Sequence, residues 1–159
     1  MEQKLKLQKM KETDFPFFSR LVYHEDVMNM NLGRPFTEEE AKGYFAYVME
    51  YSAEHESSGG YLVFMERIPV GIAFLWIREE AEIEYMLLPE FWGKGYATEI
   101  AGMLVNMAKE EGGVRKISGT IDPANERSRR VLLKNGFAFE RAFEVEEDHS
   151  HAEVYSRTI

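Results

Sequence analysis

The sequence predicts an α+β fold with a mixed, mostly antiparallel central sheet of about seven strands and about four flanking helices. Three strand-like runs follow one another between residues 61 and 88 with short polar turns between them, which favours antiparallel hairpins. A strand–helix–strand unit between Ala81 and Ile121 requires a parallel, right-handed crossover. The 159 residues suit one core, and no long linker divides them, so we expect residues 1–159 to form a single domain.

The first elements are a strand and a helix. Lys4–Met10 alternates polar and apolar residues over most of its length, which predicts the first strand. Thr13 or Asp14 is suited to capping a helix that continues to about Tyr23. Residues 29–35 break the apolar pattern, and we expect a loop there.

A second helix is predicted from Thr37 to about His55. Thr37 and Glu40 have the spacing of a capping box, in which each side chain accepts a backbone hydrogen bond near the start of the helix. Ser57–Gly60 then ends it. The expected buried stripe consists of Ala41, Tyr44, Phe45, Val48, Met49 and Ser52.

The remaining elements alternate between strands and helices. Gly93–Gly95 precedes a helix with an apolar stripe from Ala97 to Ala108, and Asn135–Gly136 is suited to end the last helix, which opens at Asp122-Pro123. The predicted strands are Tyr61–Met65, Val70–Ile77, Ala81–Leu88, Lys116–Ile121, Phe137–Val145 and Ala152–Thr158.

Composition excludes several functions. The chain has 19 basic and 28 acidic residues, a net charge of −9, so we expect no nucleic-acid partner. A cationic amine would suit this surface, although solubility alone is the commoner reason for such acidity. It has no cysteine, which rules out disulfides, thiolate metal sites and cysteine nucleophiles. The first residues lack a sustained apolar segment, so we expect neither a membrane anchor nor export, and a cytoplasmic location.

The loop at Gly93–Gly95 joins a strand to the start of a helix. Backbone N–H groups at that helix end would favour an anionic phosphate. Thr98 stands where a dinucleotide-binding loop needs a third glycine, and Gly95 follows Lys94 where a Walker loop needs Ser or Thr. From the glycines alone, a loop without a ligand remains equally acceptable.

The wider sequence resembles the GNAT acetyltransferases, most closely the branch that acetylates the N-termini of ribosomal proteins and its small-molecule relatives. The resemblance is carried by LLPEFWGKGYATE at residues 87–99, DPANERS at 122–128, and VL-x-KNGF at 131–137. It implies the GNAT fold and an acetyl-CoA-dependent N-acetyltransferase that transfers the acetyl group directly to a primary amine. The acceptor would be a protein N-terminus or a small amine of the polyamine or aminoglycoside type.

The resemblance also implies a site for acetyl-CoA as co-substrate. Unpaired backbone groups next to a bulge would bind the pantetheine arm, and the backbone of the glycine loop would bind the pyrophosphate. Trp92 departs from the family pattern of Gln or Arg at that position. Asn125, which could instead serve only as a helix cap, matches a family residue that contacts CoA, and Ser128 matches the small family residue one helical turn later. The implied cofactor-binding residues are Met86, Leu87, Leu88, Trp92, Gly93, Lys94, Gly95, Tyr96, Ala97, Thr98, Asn125 and Ser128.

Catalysis requires a group that removes the proton of the amine. Glu82 and Glu84 lie on one face of a strand, and Glu82 is the first candidate, whereas Glu84 could instead shape the acceptor pocket. Two solvated carboxylates would explain the pattern equally well. Leu132 replaces the usual general-acid tyrosine of the family, so Ser128 is the third catalytic candidate. Tyr85 and Tyr96 are weaker substitutes, and water could also suffice.

Three further expectations concern partners. His149 and His151 next to Asp148 lack a third fixed ligand, so we predict no metal site. Dimerisation is common in the family, which raises a homodimer as an expectation without support from any residue here. A non-catalytic acyl-CoA sensor is the alternative of a different class; the missing tyrosine favours it, whereas Glu82 argues against it.

Overall fold

The computed structural model describes residues 5–159, so Lys4 of the predicted first strand lies outside the described residues. Within that range a single sheet of seven strands has the order β1-β2-β3-β4-β5-β7-β6. The strands are β1 (Leu5–Lys9), β2 (Gly59–Met65), β3 (Ile68–Ile77), β4 (Ala81–Leu87), β5 (Lys116–Ile121), β6 (Ala138–Glu144) and β7 (His151–Thr158). The helices are α1 (Phe15–Val22), α2 (Glu25–Met28), α3 (Glu38–Glu54), α4 (Tyr96–Glu111) and α5 (Glu126–Lys134).

Local sequence explains how the helices begin. The Thr37 hydroxyl accepts the Glu40 N–H at 3.1 Å, and the Glu40 carboxylate accepts the Thr37 N–H at 2.8 Å, which confirms the predicted capping box of α3. Asp14 precedes α1, but its carboxylate accepts the N–H of Lys11 at 2.8 Å and therefore stabilises the preceding turn instead of the helix. The short helix α2 was not predicted, because its four residues form about one turn and cannot show a repeating apolar pattern.

The sheet confirms the predicted α+β architecture. Every strand pair is antiparallel except β4 with β5, which are joined by α4 in the expected crossover. One buried core lies between the sheet and α4 with α5, and it includes Ile100, Leu104 and Leu132. The other lies on the face covered by α1 and α3, where Phe18 and Phe74 are fully buried. Of the residues described, no helix has the length and apolar character needed to cross a membrane.

Candidate active site

Strands β4 and β5 diverge in the middle of the sheet. They pair in parallel only at Ala81 with Ile117 and at Glu82 with Ser118, although both strands continue for several residues beyond these positions. The remaining length of β4 therefore has a free edge on the side of β5. An open edge of this kind presents backbone N–H and C=O groups to a ligand.

The direction of each backbone group on β4 follows from its pairing with β3. Leu88 donates its N–H to the carbonyl of Val70 at 3.0 Å, and its own carbonyl accepts the N–H of Phe91 at 2.9 Å. Because successive residues of a strand face opposite neighbours, Met86 also faces β3, whereas Tyr85 and Leu87 face the gap.

These contacts correct one prediction. Leu88 has no free backbone group, and Met86 turns its backbone away from the gap, so of the three residues predicted to offer unpaired groups only Leu87 does so. The pairing of β3 with β4 is continuous from Gly71–Leu87 to Ile77–Ala81, so the expected bulge is also absent. The gap arises from strand divergence instead. Met86 still lines the gap with its side chain.

The glycine loop has the backbone of an anion site. Gly93 and Gly95 have φ values of 76° and 82°, in the left-handed region that side chains disfavour. Glu99 is the first residue of α4 whose N–H donates within the helix, to the carbonyl of Gly95 at 3.2 Å. The preceding N–H groups of Tyr96, Ala97 and Thr98 therefore have no partner inside the helix and remain available to a phosphate, whereas the Lys94 side chain is exposed.

Trp92 connects this loop to the end of β4. Its indole Nε1 donates to the carbonyl of Leu87 at 2.9 Å, which leaves the N–H of Leu87 as the free backbone group beside the loop. The guanidinium of Arg127 stacks over the indole, 4.6 Å from the ring centroid. Trp92 thus holds the loop in place, a role that the sequence did not reveal.

Asn125 and Ser128 lie at the start of α5, across the gap from β4. The Asn125 Oδ1 accepts the N–H of Ser128 at 3.1 Å, so Asn125 is the N-cap that the sequence allowed. Within residues 5–159 its amide nitrogen donates no hydrogen bond, and Asn125 lines a cavity together with Ser128. Asn125 can therefore cap the helix and contact a ligand at once.

Glu84 is mostly buried and held in one orientation. Its Oε2 accepts the indole N–H of Trp76 at 2.6 Å and the hydroxyl of Tyr44 at 3.1 Å, which leaves Oε1 for a ligand. Burial raises the pKa of Glu84 above its ordinary value; the two hydrogen bonds act in the opposite direction, and the nearby charge of Glu82 adds to the rise. The sequence does not indicate either partner, because its periodicity places Tyr44 in the core stripe of α3 and does not determine the register of the strands.

Glu84 and Glu82 line the same large cavity, which has a volume of about 820 Å³. Glu82 is exposed at this cavity, whereas Glu84 lies at its aromatic wall. Tyr44 is central to that wall, because its ring centroid lies within 6.0 Å of those of Phe18, Phe36 and Phe74. The two carboxylates therefore line one cavity, as their shared strand face predicts, but they differ in exposure to solvent.

Tyr85 projects from β4 toward α5. Its hydroxyl is buried and forms no hydrogen bond of ordinary geometry, although the Ser128 side chain faces it closely enough to moderate its titration. Burial raises the pKa of Tyr85 to about 12, which keeps the hydroxyl protonated at neutral pH. Leu132, which occupies the family position of the acid, is a buried core residue instead.

Three cavities adjoin along the gap. The large cavity shares Tyr85, Met86, Asn125 and Ser128 with a smaller one of about 120 Å³. The smaller cavity shares Leu87, Trp92 and Ala97 with a third, of about 420 Å³, which reaches the glycine loop. We call this series of adjoining cavities, which runs from the two carboxylates past Ser128 to the anion site, the passage.

Of the two histidines considered for a metal site, only one lines the passage. His149 is exposed, and its Nδ1 lies 2.6 Å from the carboxylate of Glu144. His151 lines the large cavity. Across the part of the chain that the structure describes, no group of three or more His, Asp or Glu side chains is arranged to hold a metal ion.

A family model described as an acetyltransferase (GNAT) domain matches residues 4–138. The chain belongs to the GNAT family. The predicted family and fold are therefore confirmed.

Relatives of this GNAT chain differ in their named substrates. It is 30% identical over 142 residues to an FsC-acetyl coenzyme A-N(2)-transacetylase of Aspergillus fumigatus, a match that covers 80% of this chain and 59% of the relative. A match to an uncharacterized N-acetyltransferase of Bacillus subtilis, 39% identical over 57 residues, covers 36% and 32%. The chain thus spans less than two thirds of the curated relatives that it matches.

Solved structures share the fold over nearly the whole chain. An acetyltransferase of Salmonella typhimurium that modifies the N-terminal serine of ribosomal protein L7/L12 superimposes with a TM-score of 0.83 at 21% identity, covering 99% of this chain and 96% of that one. A spermidine N-acetyltransferase of Vibrio cholerae gives a TM-score of 0.80 at 16% identity, with the same coverage.

Proposed function

We propose that this protein is an acetyl-CoA-dependent N-acetyltransferase that transfers the acetyl group directly to a primary amine. The observation that carries the proposal is the series of adjoining cavities along the gap between β4 and β5. One end of the passage has carboxylates suited to an amine, and the other has a helix end suited to phosphates. The thioester of a bound acetyl-CoA would then lie in the middle of the passage, between the amine at one end and the phosphate site at the other.

The cofactor arrangement follows from these groups. The unpaired N–H groups of Tyr96, Ala97 and Thr98 would bind the pyrophosphate of acetyl-CoA. The pantetheine arm would lie along the open edge of β4, where Leu87 offers its N–H, and opposite the amide nitrogen of Asn125. This arrangement places the thioester near Tyr85 and Ser128, between the two outer cavities.

Glu84 is the proposed base. The amine must lose a proton because most free amines are protonated at neutral pH, and a carboxylate with a raised pKa is a better acceptor than an ordinary one. The amine nitrogen then attacks the thioester carbonyl carbon, and the carbon–sulfur bond breaks. Exposed Glu82, first choice on sequence, is better placed to attract the ammonium form to the cavity.

Ser128 is the proposed partner of the departing thiolate. Its side chain lines the same cavity as Asn125, and the buried hydroxyl of Tyr85 faces it. A hydroxyl pair of this kind can donate a hydrogen bond to the sulfur and pass a proton to it, so that the products are the amide and CoA. Such a pair would compensate for leucine at position 132.

A small cationic amine suits the acceptor cavity best. Glu82, Glu84 and Asp148 line it, whereas its cation Arg34 is already paired with Glu40 at 2.7 Å. The aromatic wall around Tyr44 would also attract an ammonium group through its ring faces. Relatives named for spermidine and for an N(2)-amine support this class, while the relative that modifies a ribosomal N-terminus keeps peptides as the alternative.

Thioester consumption tests the proposal. Acetyl-CoA is mixed with a panel of diamines, polyamines, amino acids and short peptides, and the released CoA thiol is measured with a thiol reagent. The protein contributes no background because it has no cysteine. We expect steady CoA release, fastest with small cationic amines. Binding of acetyl-CoA without consumption across the whole panel would overturn the enzyme and favour a sensor.

A further inference from the structure

Helix α5 carries four basic side chains that the structure divides into two groups. Arg129 belongs to the protein framework: it donates to Glu153 at 3.0 Å, to the Tyr155 hydroxyl at 2.8 Å and to the Pro123 carbonyl at 2.6 Å. It also pairs with Glu126. Arg129 is therefore fully occupied and unavailable to a ligand.

The other three cations face the glycine loop. Arg127, Arg130 and Lys134 recur at helical spacing and line one cavity of about 420 Å³ together with Gly93, Gly95 and the first residues of α4. All three are exposed, and no ion pair within residues 5–159 includes them. No acidic side chain lines this cavity. Basic side chains without acidic partners are notable on a chain with a net charge of −9. Their place beside the anion site indicates a ligand that carries more negative charge than the N–H groups of the glycine loop could bind alone.

The three cations follow one another along the passage. Arg127 lines both the middle cavity, with Asn125 and Ser128, and the outer one, and its guanidinium stacks on Trp92. Arg130 and Lys134 line the outer cavity but not the middle one. Arg130 and Lys134 are four residues apart, so their side chains are neighbours on one face of α5. Lys134 lies about 10 Å farther along the helix axis than Arg127.

The chemical groups of CoA follow one another in an order that matches the order of these cations along the passage. Its thioester is followed by pantetheine, by the pyrophosphate and then by a ribose with a third phosphate on the 3′ oxygen. With the thioester beside Ser128 and the pyrophosphate on the loop, the third phosphate would lie in the outer cavity. Arg and Lys side chains that lack protein partners are suited to bind a phosphate dianion there.

We propose that Arg130 and Lys134 form a binding subsite for the 3′-phosphate of CoA, and that this subsite makes the protein select CoA over 3′-dephospho-CoA. This inference rests on the proposed function, and it identifies the 3′-phosphate as the part of the cofactor that the protein recognises. Arg127 remains on the indole of Trp92 and supports the loop.

Calorimetric titration with CoA and with 3′-dephospho-CoA tests the subsite. We expect wild type to bind CoA at least about tenfold more tightly, since a charge-assisted hydrogen bond is worth roughly that factor. In the double variant Arg130→Gln/Lys134→Gln, CoA affinity should fall by about tenfold or more, while the affinity for 3′-dephospho-CoA changes by less than about twofold. The preference of wild type should also shrink as salt is raised, because exposed charges are screened.

The matched control is Arg67→Gln/Lys109→Gln, which removes the same two charges from exposed positions outside the cavity. It should leave both affinities and their ratio unchanged. If wild type binds the two nucleotides equally, or if the α5 variant loses both to the same extent, the cations serve the pyrophosphate or no ligand, and the subsite is refuted while the cofactor assignment stands. Failure of wild type to bind either nucleotide would refute the proposed function itself.

Discussion

Replacing Glu84 by glutamine removes the proposed base with little change in shape. Glutamine keeps an acceptor oxygen, so the hydrogen bonds that Trp76 and Tyr44 donate at 2.6 and 3.1 Å can persist. The amide cannot accept the proton of the amine. Loss of a general base typically lowers turnover by about 10²–10⁴-fold, and we expect Glu84→Gln to fall in that range while acetyl-CoA affinity is retained.

The pH dependence of kcat/KM, followed by CoA release, identifies the group that titrates. In wild type the rate should rise with pH as Glu84 loses its proton, with a midpoint above the ordinary value of 4.5 because burial raises the pKa of this carboxyl. Glu84→Gln should lack this acidic limb. Glu82→Gln, on the same face of β4 but exposed, is the matched control and should keep it. If Glu84→Gln retains the limb and wild-type turnover, Glu84 is not the base.

The same variant makes an independent prediction about stability. Because the pKa of Glu84 is higher in the folded state than its ordinary value of 4.5, its contribution to the free energy of unfolding is complete below pH 4.5 and declines as pH rises through the folded pKa. Glutamine has no such decline. Urea unfolding at several pH values should therefore show Glu84→Gln gaining stability relative to wild type as pH increases. A difference that is constant with pH would mean that the carboxylate is not desolvated.

Two further substitutions probe the other walls of the passage. Gly95→Val should abolish the acetyl-CoA binding that calorimetry measures, because valine disfavours the φ of 82° that this loop position requires. Gly113→Val is the control: the φ of 80° and the open space at Gly113 impose the same strain away from the site, so this variant should bind acetyl-CoA normally. Tyr85→Phe should raise thermal stability by about 1 kcal/mol, or roughly 3 °C, by removing a buried hydroxyl without a partner, while it lowers turnover. Tyr51→Phe is its control and should lose stability, because the Tyr51 hydroxyl accepts the Ile77 N–H at 2.7 Å and lies 3.0 Å from the Ser58 hydroxyl. A stability loss in Tyr85→Phe would mean that the hydroxyl has a hydrogen-bond partner in the protein, and unchanged turnover would contradict its functional role.

Features that depend on neighbouring residues could be predicted from the sequence alone. The capping box of Thr37 and Glu40, the strand Lys116–Ile121 and the glycine loop formed as expected. Their signals are short-range, because caps, alternation and glycine act within a few residues. The motifs at residues 87–99 and 122–137 likewise predicted the family, which the family model confirmed.

Features that depend on pairing between distant segments were decided by the tertiary structure. The register of β4 against β3 determines that Leu87, and not Leu88, has a free backbone group, and a shift of one residue would exchange them. Burial distinguishes Glu84 from Glu82, although both alternate onto one face, because Trp76 and Tyr44 come from other elements. Likewise, packing against β7 occupies Arg129 and leaves Arg130 at the cavity beside the loop. Adjacent residues of one type thus differ in role, because the groups that surround them come from distant parts of the chain.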